Sequence, residues 1–195
     1  MGQVIITIGR EYGSQGHNIA VALGEKLGLK VYDKSVVDHL VEEGFDKDII
    51  SNYDEKKRHL FFSQKVNGLS NSIEEVIAEK IFEYEKEIAE SGESFIFVGR
   101  CSDYILREYP HIVKIFIRGE HDAKKQHLID DLGMTADEAE DKMKDMDKKR
   151  KAYHDSYCEY KWGDSKAYDL TINSSKLGIE KTVEFLANYI KLYNE

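Results

Sequence analysis

Short, continuous apolar runs alternate along the chain with stretches in which apolar residues recur at helical spacing. Val4 to Ile8 is a run rich in β-branched residues and predicts a buried strand. Ile19, Ala20, Leu23 and Leu27 then share one helical face until Gly28 ends the pattern. Leu29 to Tyr32 predicts a second strand, and Val36, Val37, Leu40 and Val41 mark one face of a helix from Asp33 through Glu43. Ser72 and Glu75 have capping-box spacing ahead of Ile73, Val76, Ile77, Ile81, Tyr84 and Ile88. That pattern predicts a long amphipathic helix, lying across the sheet and ending near Gly92. Phe95 to Val98, Ile112 to Ile117 and Leu170 to Ile172 supply three more strands. Thr135 and Glu138 open a very polar helix that runs through Lys148 to about Tyr153, and its thin apolar stripe predicts weak packing and projection from the body. Ile179, Val183, Leu186 and Ile190 mark a closing helix. The segment from Phe45 to Leu69, polar at first and then with Leu60, Phe61 and Phe62 bunched together, is read as helical and mobile. Strands alternating with helices in this way imply an α/β fold around a parallel sheet.

Length and composition narrow the picture. At 195 residues, with no internal repeat, no low-complexity stretch and Pro110 as its one proline, the chain fits a single domain spanning 1–195. A formal charge of −9 argues against nucleic acid as a partner, because that binding depends on many cations neutralising phosphates. A small anion is compatible with an acidic protein, since a few local donors suffice to hold it. Val4 to Ile8 is too short to span a bilayer, and Ile6 stands where a myristoylation signal needs Ser or Thr, so no membrane partner is expected. Cys101 and Cys158, without a secretory signal or paired metal-ligand spacing, read as free thiols in a reducing, cytoplasmic setting. His121, His127 and His154 read as surface residues. Tyr153, Tyr157 and Tyr160 permit a homodimer without requiring one.

The candidate chemistry sits between the first strand and the first helix, in Gly9-Arg10-Glu11-Tyr12-Gly13-Ser14-Gln15-Gly16-His17-Asn18. There the backbone N–H groups of Gly13 to Asn18 converge on a helix N-terminus. Glycine tolerates the dihedrals such a nest requires, and the helix end carries about +0.5 of a charge, so phosphate is the natural guest. The standard phosphate-loop pattern G-x-x-x-x-G-K-[ST] is not met: with its last glycine on Gly16, Glu11 takes the first-glycine position, His17 the lysine position and Asn18 the hydroxyl position. On pattern alone, a tight strand-to-helix turn without a ligand is the competing reading. Arg100 has a comparable alternative, pairing with Asp103 at a strand end. Lys148 to Lys151 can be read as a solvated helix face, and Asp33 as a helix N-cap. Trp162 and Tyr153 read as packing residues.

A resemblance adds to these readings. Ile6 to Ser14, then Tyr32-Asp33-Lys34, then Val98-Gly99-Arg100-Cys101-Ser102-Asp103-Tyr104-Ile105-Leu106 resemble segments of the cytidylate kinase-like family. Asp147 to Tyr153, Trp162-Gly163-Asp164, Tyr168-Asp169-Leu170 and Asn173 to Gly178 are similar to that family's later motifs, in the same order. The resemblance implies a three-layer P-loop kinase fold, a five-stranded parallel sheet flanked by helices, with a helical acceptor region over about 34–70 and a helical lid over about 119–165. It implies an ATP-dependent phosphotransferase that moves the γ-phosphoryl of Mg-ATP to a nucleoside monophosphate, with CMP as the first candidate. Arg10, Gly13, Ser14, Gln15, Gly16, His17 and Asn18 would hold the ATP phosphates, and Asn173, Ser174 and Ser175 the adenine side. Asp33, Arg100 and Asp103 would face the acceptor, while Arg100, Lys148, Lys149, Arg150 and His17 would stabilise the transferred group. Several departures from the family pattern stand against this. His17 brings a conditional charge where relatives carry a cation, Asn18 an amide where a hydroxyl would meet Mg²⁺, Gln15 a side chain in place of glycine, and Val98 an apolar residue in place of an acid. No residue is assigned as a metal ligand. These departures motivate two further readings, a nucleotide-sensing module without transfer activity and a kinase for another small acceptor.

Overall fold

The computed structural model describes residues 2–33, 35–42, 44 and 73–194. The expectations for Phe45–Leu69, for Lys34 and for the Ser72 cap lie outside those residues. The described chain runs β1 (Ile5–Arg10), α1 (Gly16–Leu27), β2 (Lys30–Tyr32), α2 (Ser35–Glu42), α3 (Ile73–Glu90), β3 (Phe95–Val98), α4 (Ser102–Ile105), β4 (Ile112–Arg118), α5 (His121–Leu132), α6 (Ala136–Tyr157), β5 (Leu170–Asn173) and α7 (Ser174–Tyr193). The strands form one parallel sheet in the order β2-β3-β1-β4-β5. Each expected strand is present, and no end moves by more than two residues.

Successive strand residues point to opposite faces, so one sheet builds two cores. Ile6, Ile8, Ile96, Val98, Ile115 and Ile117 pack beneath α1 and α7 through Ile19, Leu23, Val183, Leu186 and Ile190. Ile5, Phe95 and Phe97 face the other way and meet Tyr32, Leu40, Ile77, Ile81 and Leu106. Burial on both sides explains why these strands read as unbroken apolar runs.

All five strands end on the same edge, and β1 lies between β3 and β4, with Ile8 level with Val98 on one side and Ile115 on the other. The segments beyond Gly9, Tyr32, Val98, Arg118 and Asn173 therefore converge there, where open α/β sheets bind ligands.

The polar helix α6 corrects one expectation. Its capping box is present: Thr135 Oγ1 accepts from the Glu138 backbone, and Glu138 Oε2 accepts from the Thr135 N–H at 2.8 Å. But it does not project. Ala139 and Met143 pack on Leu128, and farther along, Asp147, Arg150 and His154 each bond to the body of the fold. Polar tethers, which apolar periodicity does not report, hold it in place.

Candidate functional site

The loop after β1 is drawn tight from within. Ser14 Oγ donates to the Glu11 carbonyl at 2.9 Å, and Ser14 is buried. Gly13 and Gln15 both take left-handed backbone conformations, with φ of 78° and 61°. For Gln15 that costs about 1–2 kcal/mol relative to a right-handed residue, a strain glycine would not carry. Ile19 N–H donates back to the Gln15 carbonyl at 2.9 Å. The first amides of α1, from Gly16 through Asn18, have no carbonyl partner within the helix and mark its positive end. Gly16 is required by contact rather than by turn geometry, because a Cβ there would sit 2.5 Å from Arg10 Cβ.

From outside, the loop is braced by groups that the sequence does not single out. Glu11 Oε2 accepts from the Gly119 N–H at 3.0 Å and from Lys124 Nζ at 2.9 Å. Lys124, itself buried, lies 3.5 Å from Asp147 Oδ2, and Asp147 Oδ1 accepts from the Tyr12 N–H at 2.6 Å. Burial raises the Asp147 carboxyl, against the Tyr12 bond and the Lys124 charge, which lower it. Ser174 Oγ shares its hydroxyl between the carbonyls of Ser14 at 2.7 Å and Arg118 at 3.1 Å, tying the loop to the start of α7. Glu11 and Lys124 carry no local signal of this pairing, because their partners lie on different elements.

The result is a cleft of about 210 Å³ lined by Gly13, Ser14, Gln15, Ala123, Ser174, Ser175, Gly178 and Ile179. It brings the loop together with Ser174 and Ser175. Gly178, at φ 72° and ψ 175°, breaks α7 after its first turn and forms part of the cleft wall. Asn173 Oδ1 caps this turn by accepting from the Ser175 N–H at 3.2 Å. A larger open hollow of about 580 Å³ lies at the α5–α6 turn, between Leu132 and Asp145. Glu138, Asp141 and Asp145 line it, which makes it a poor place for a phosphate.

The expected cations separate. Arg10 lies 3.5 Å from Asp33 Oδ1, and its guanidinium covers Gly99, where any Cβ would overlap it. His17 and Asn18 are exposed, and His17 Nδ1 is 2.6 Å from Asp33 Oδ2. Asp33 therefore binds two cation-type side chains. Arg150 reaches the loop, donating to the Arg10 carbonyl at 3.0 Å with its guanidinium 5.5 Å from the Tyr12 ring centre. Burial and the nearby Arg10 charge lower Arg150 to about 9, so it remains charged at neutral pH. Lys149 pairs with Asp145 at 2.8 Å one turn back, and Lys148 is exposed. A helix turns about 100° per residue, so three successive cations cannot share one face.

On the far side of β1, the turn after β3 is strained. Gly99, Arg100 and Cys101 are all left-handed, with φ of 77°, 60° and 63°. Ser102 closes the turn, its N–H and Oγ both donating to the Gly99 carbonyl at 3.2 and 2.8 Å. Strain of this kind persists only where surrounding contacts hold it. Asp103 follows, buried, and accepts from His154 Nε2 at 3.1 Å and from the Tyr160 hydroxyl at 3.0 Å. The surface reading of His154 is thereby corrected: it is 4% exposed, because its imidazole closes this network. Burial lowers His154, and the bond to Asp103, with the Cys158 thiol nearby, outweighs that and carries it up to about 9. On α3, Glu85 is fully buried, and neither carboxyl oxygen has a hydrogen-bond partner among the described residues. Burial and the Asp103 charge push its carboxyl well above the usual range, with Arg100 opposing.

A parallel sheet in this order, with a phosphate-type loop after its central strand, narrows the comparison to P-loop kinases, and the family model for the cytidylate kinase-like family matches residues 5–176. The chain belongs to the cytidylate kinase-like family. A crystal structure of an uncharacterized protein from Eubacterium ventriosum ATCC 27560 is 33% identical to this family member, covers 97% of this chain and 99% of that chain, and superposes with a TM-score of 0.77. Shikimate kinase from Bacteroides thetaiotaomicron is 17% identical over 96% of this chain and 98% of that chain, with a TM-score of 0.56. Shikimate kinase from Acinetobacter baumannii, in complex with shikimate, is 14% identical over 99% and 95%, with a TM-score of 0.55. At that identity the two shikimate kinases establish the P-loop kinase fold and nothing about the acceptor. No curated protein matches the chain. Among the described residues, no helix is long and apolar enough to cross a membrane.

Proposed function

We propose that this family member is an ATP-dependent kinase acting on a nucleoside monophosphate, CMP-like in the first instance, in a cytoplasmic setting. The observation that carries the reading is the cleft in which Gly13–Gln15, the loop that leads into the N-terminus of α1, meets Ser174 and Ser175. Loop amides, a positive helix end and a left-handed loop suit a polyphosphate, and the exposed Ser175 hydroxyl suits the base that accompanies it. ATP supplies the phosphoryl group. The chain's part is alignment and charge: loop amides and Arg150 hold the donor side, Arg100 and Asp33 the acceptor side. Asp103, its carboxylate occupied by His154 and Tyr160, positions the turn that carries Arg100. No general base is needed, because a monophosphate oxygen is already anionic near neutral pH. Helices α5 and α6 serve as the lid that excludes water. Among the described residues no group of three His, Cys, Asp or Glu has the geometry of a metal site. Ser14 Oγ is committed to Glu11. The described residues thus form no magnesium cage, and no step here depends on a protein-held metal.

The contact between His17 and Asp33 favours a second reading, nucleotide binding without transfer, because it engages the lysine-position side chain away from the loop. Calorimetric titration of ATP with and without Mg²⁺, followed by transfer assays with CMP, UMP, dCMP and AMP, decides between them. Metal-dependent binding with transfer to one acceptor supports the kinase. Binding without transfer to any acceptor supports the sensor, and no binding defeats both.

A further inference from the structure

A lysine is seldom buried unless it is paired, and α5 buries one beside the phosphate loop. Lys124 lies in the first turn of α5, and its stem is threaded between two glycines. A Cβ on Gly13 would lie 3.2 Å from Lys124 Cβ, and one on Gly119 would lie 2.8 Å from Lys124 Cγ. The ammonium at the end of that stem stands between two acids, 2.9 Å from Glu11 Oε2 and 3.5 Å from Asp147 Oδ2. Each acid also accepts a backbone N–H, Glu11 that of Gly119 at 3.0 Å and Asp147 that of Tyr12 at 2.6 Å. One cation therefore holds two carboxylates, and each carboxylate holds one amide at a border of the site.

Glu11 is the residue that makes this arrangement informative. It occupies the first-glycine position of the loop, where an uncompensated carboxylate would repel a polyphosphate. The cleft is lined by Gly13, Ser14 and Gln15 from the same loop and, among the described residues, not by Glu11. Its carboxylate is turned instead toward Gly119 and Lys124. Around the loop, Lys124, Arg150 and Arg10 offset Glu11, Asp147 and Asp33. Without the Lys124 ammonium that set turns acidic, and two part-buried acids lose the charge that faces them.

We propose that Lys124 is a positioning residue for the donor phosphates, acting through Glu11 and Asp147. It holds both carboxylates off the cleft and fixes the amides of Tyr12 and Gly119, so that Gly13 to Gln15 keep the form that receives the polyphosphate. Because Lys124 is on α5 and Asp147 on α6, the same side chain joins both helices to the loop. The effect on ATP rests on the kinase reading; the anchoring of the two amides does not.

The test uses the full chain as wild type, Lys124→Met and the double variant Lys124→Met with Glu11→Gln. Methionine keeps most of the stem without its charge, and glutamine keeps the shape of Glu11 without its charge. Amide hydrogen exchange read by NMR should speed up at least about tenfold at Tyr12 and Gly119 in Lys124→Met, the size of a lost charge-assisted hydrogen bond. Unchanged exchange at both amides overturns the anchoring. If Lys124→Met does not fold, native wild type serves: both amides should exchange at least about 10²-fold slower than in an unstructured peptide, and unprotected amides overturn the anchoring. Calorimetry should show Mg-ATP binding at least about tenfold weaker in Lys124→Met, with the acceptor KM changed less than about threefold. A loss confined to the acceptor KM overturns the donor assignment. The double variant should regain at least about threefold of the lost ATP affinity, because the acid that Lys124 offsets is gone. A lysine that only fills space gives no such recovery, and a double variant as weak as Lys124→Met overturns action through Glu11. Wild type that binds no ATP counts against the kinase reading, while the exchange result still decides the anchoring.

Discussion

The imidazole of His17, in the first turn of α1, is held 2.6 Å from the carboxylate of Asp33 at the end of β2. The same carboxylate faces Arg10 at 3.5 Å. One acid, which the family resemblance gave to the acceptor, thus holds the two loop side chains that it gave to ATP. Asp33→Asn keeps the shape and removes the charge. If Asp33 faces the acceptor, the acceptor KM should rise about tenfold, the size of one charge-assisted hydrogen bond, with ATP affinity changed less than about threefold. Steady-state kinetics and calorimetry read the two separately. A marked gain in ATP affinity would mean that Asp33 restrains the loop cations instead.

Arg150 and Lys148 are two residues apart on α6, but only Arg150 touches the loop. Arg150→Ala should lower transfer about 10²-fold, the loss expected for a preorganised donor at the transferred group. Lys148→Ala should change it less than about threefold. Equal losses in a parallel assay would point to a field of lid charge rather than one positioned guanidinium.

Glu85 gives a pH prediction about stability. Its carboxyl is raised by burial, so the folded state keeps the proton longer than the unfolded chain does. Stability is therefore greatest below the ordinary carboxylate range and falls as pH climbs from there toward the raised value. Glu85→Gln cannot ionise and should melt above wild type near pH 8, with the gap closing near pH 4. Thermal melts across that range would show a constant gap if the carboxyl were ordinary.

His154 and Cys158 make opposite contributions to pH-dependent stability. His154, raised to about 9, contributes stability that is fully present below the unfolded imidazole value and is lost as pH rises through 9. Cys158, lowered to about 7, contributes stability that is present above the unfolded thiol value and is lost as pH falls through 7. Between 7 and 9 the two slopes cancel, and the reduced wild type should show a flat contribution from the pair. Cys158→Ser removes the thiol contribution and one of the supports of the raised imidazole, so its stability should decline over the lower part of that window by at most about 1.4 kcal/mol per pH unit. Parallel slopes for variant and wild type in denaturant titrations would refute the coupling.

Much of the fold was legible along the chain. Unbroken apolar runs marked strands buried on both faces, helical spacing marked α1, α3 and α7, and Thr135 with Glu138 marked the start of α6. The failures share a cause. The projecting reading of α6 and the surface reading of His154 came from counting apolar positions, whereas α6 is held by Asp147, Arg150 and His154. Lys124 drew no notice for the same reason, its partner Glu11 being 113 residues away.

The amino-acid sequence by itself determined the alternating elements, the glycine-bearing loop ahead of α1 and the family, because local propensity, period and motif order are written in neighbouring residues. Only the tertiary structure decided that Asp33 meets His17 and that Arg150 and Lys124 reach the loop. Those pairings depend on which strand ends the parallel sheet brings to one edge, and contacts between distant segments leave no periodic trace in the chain that makes them.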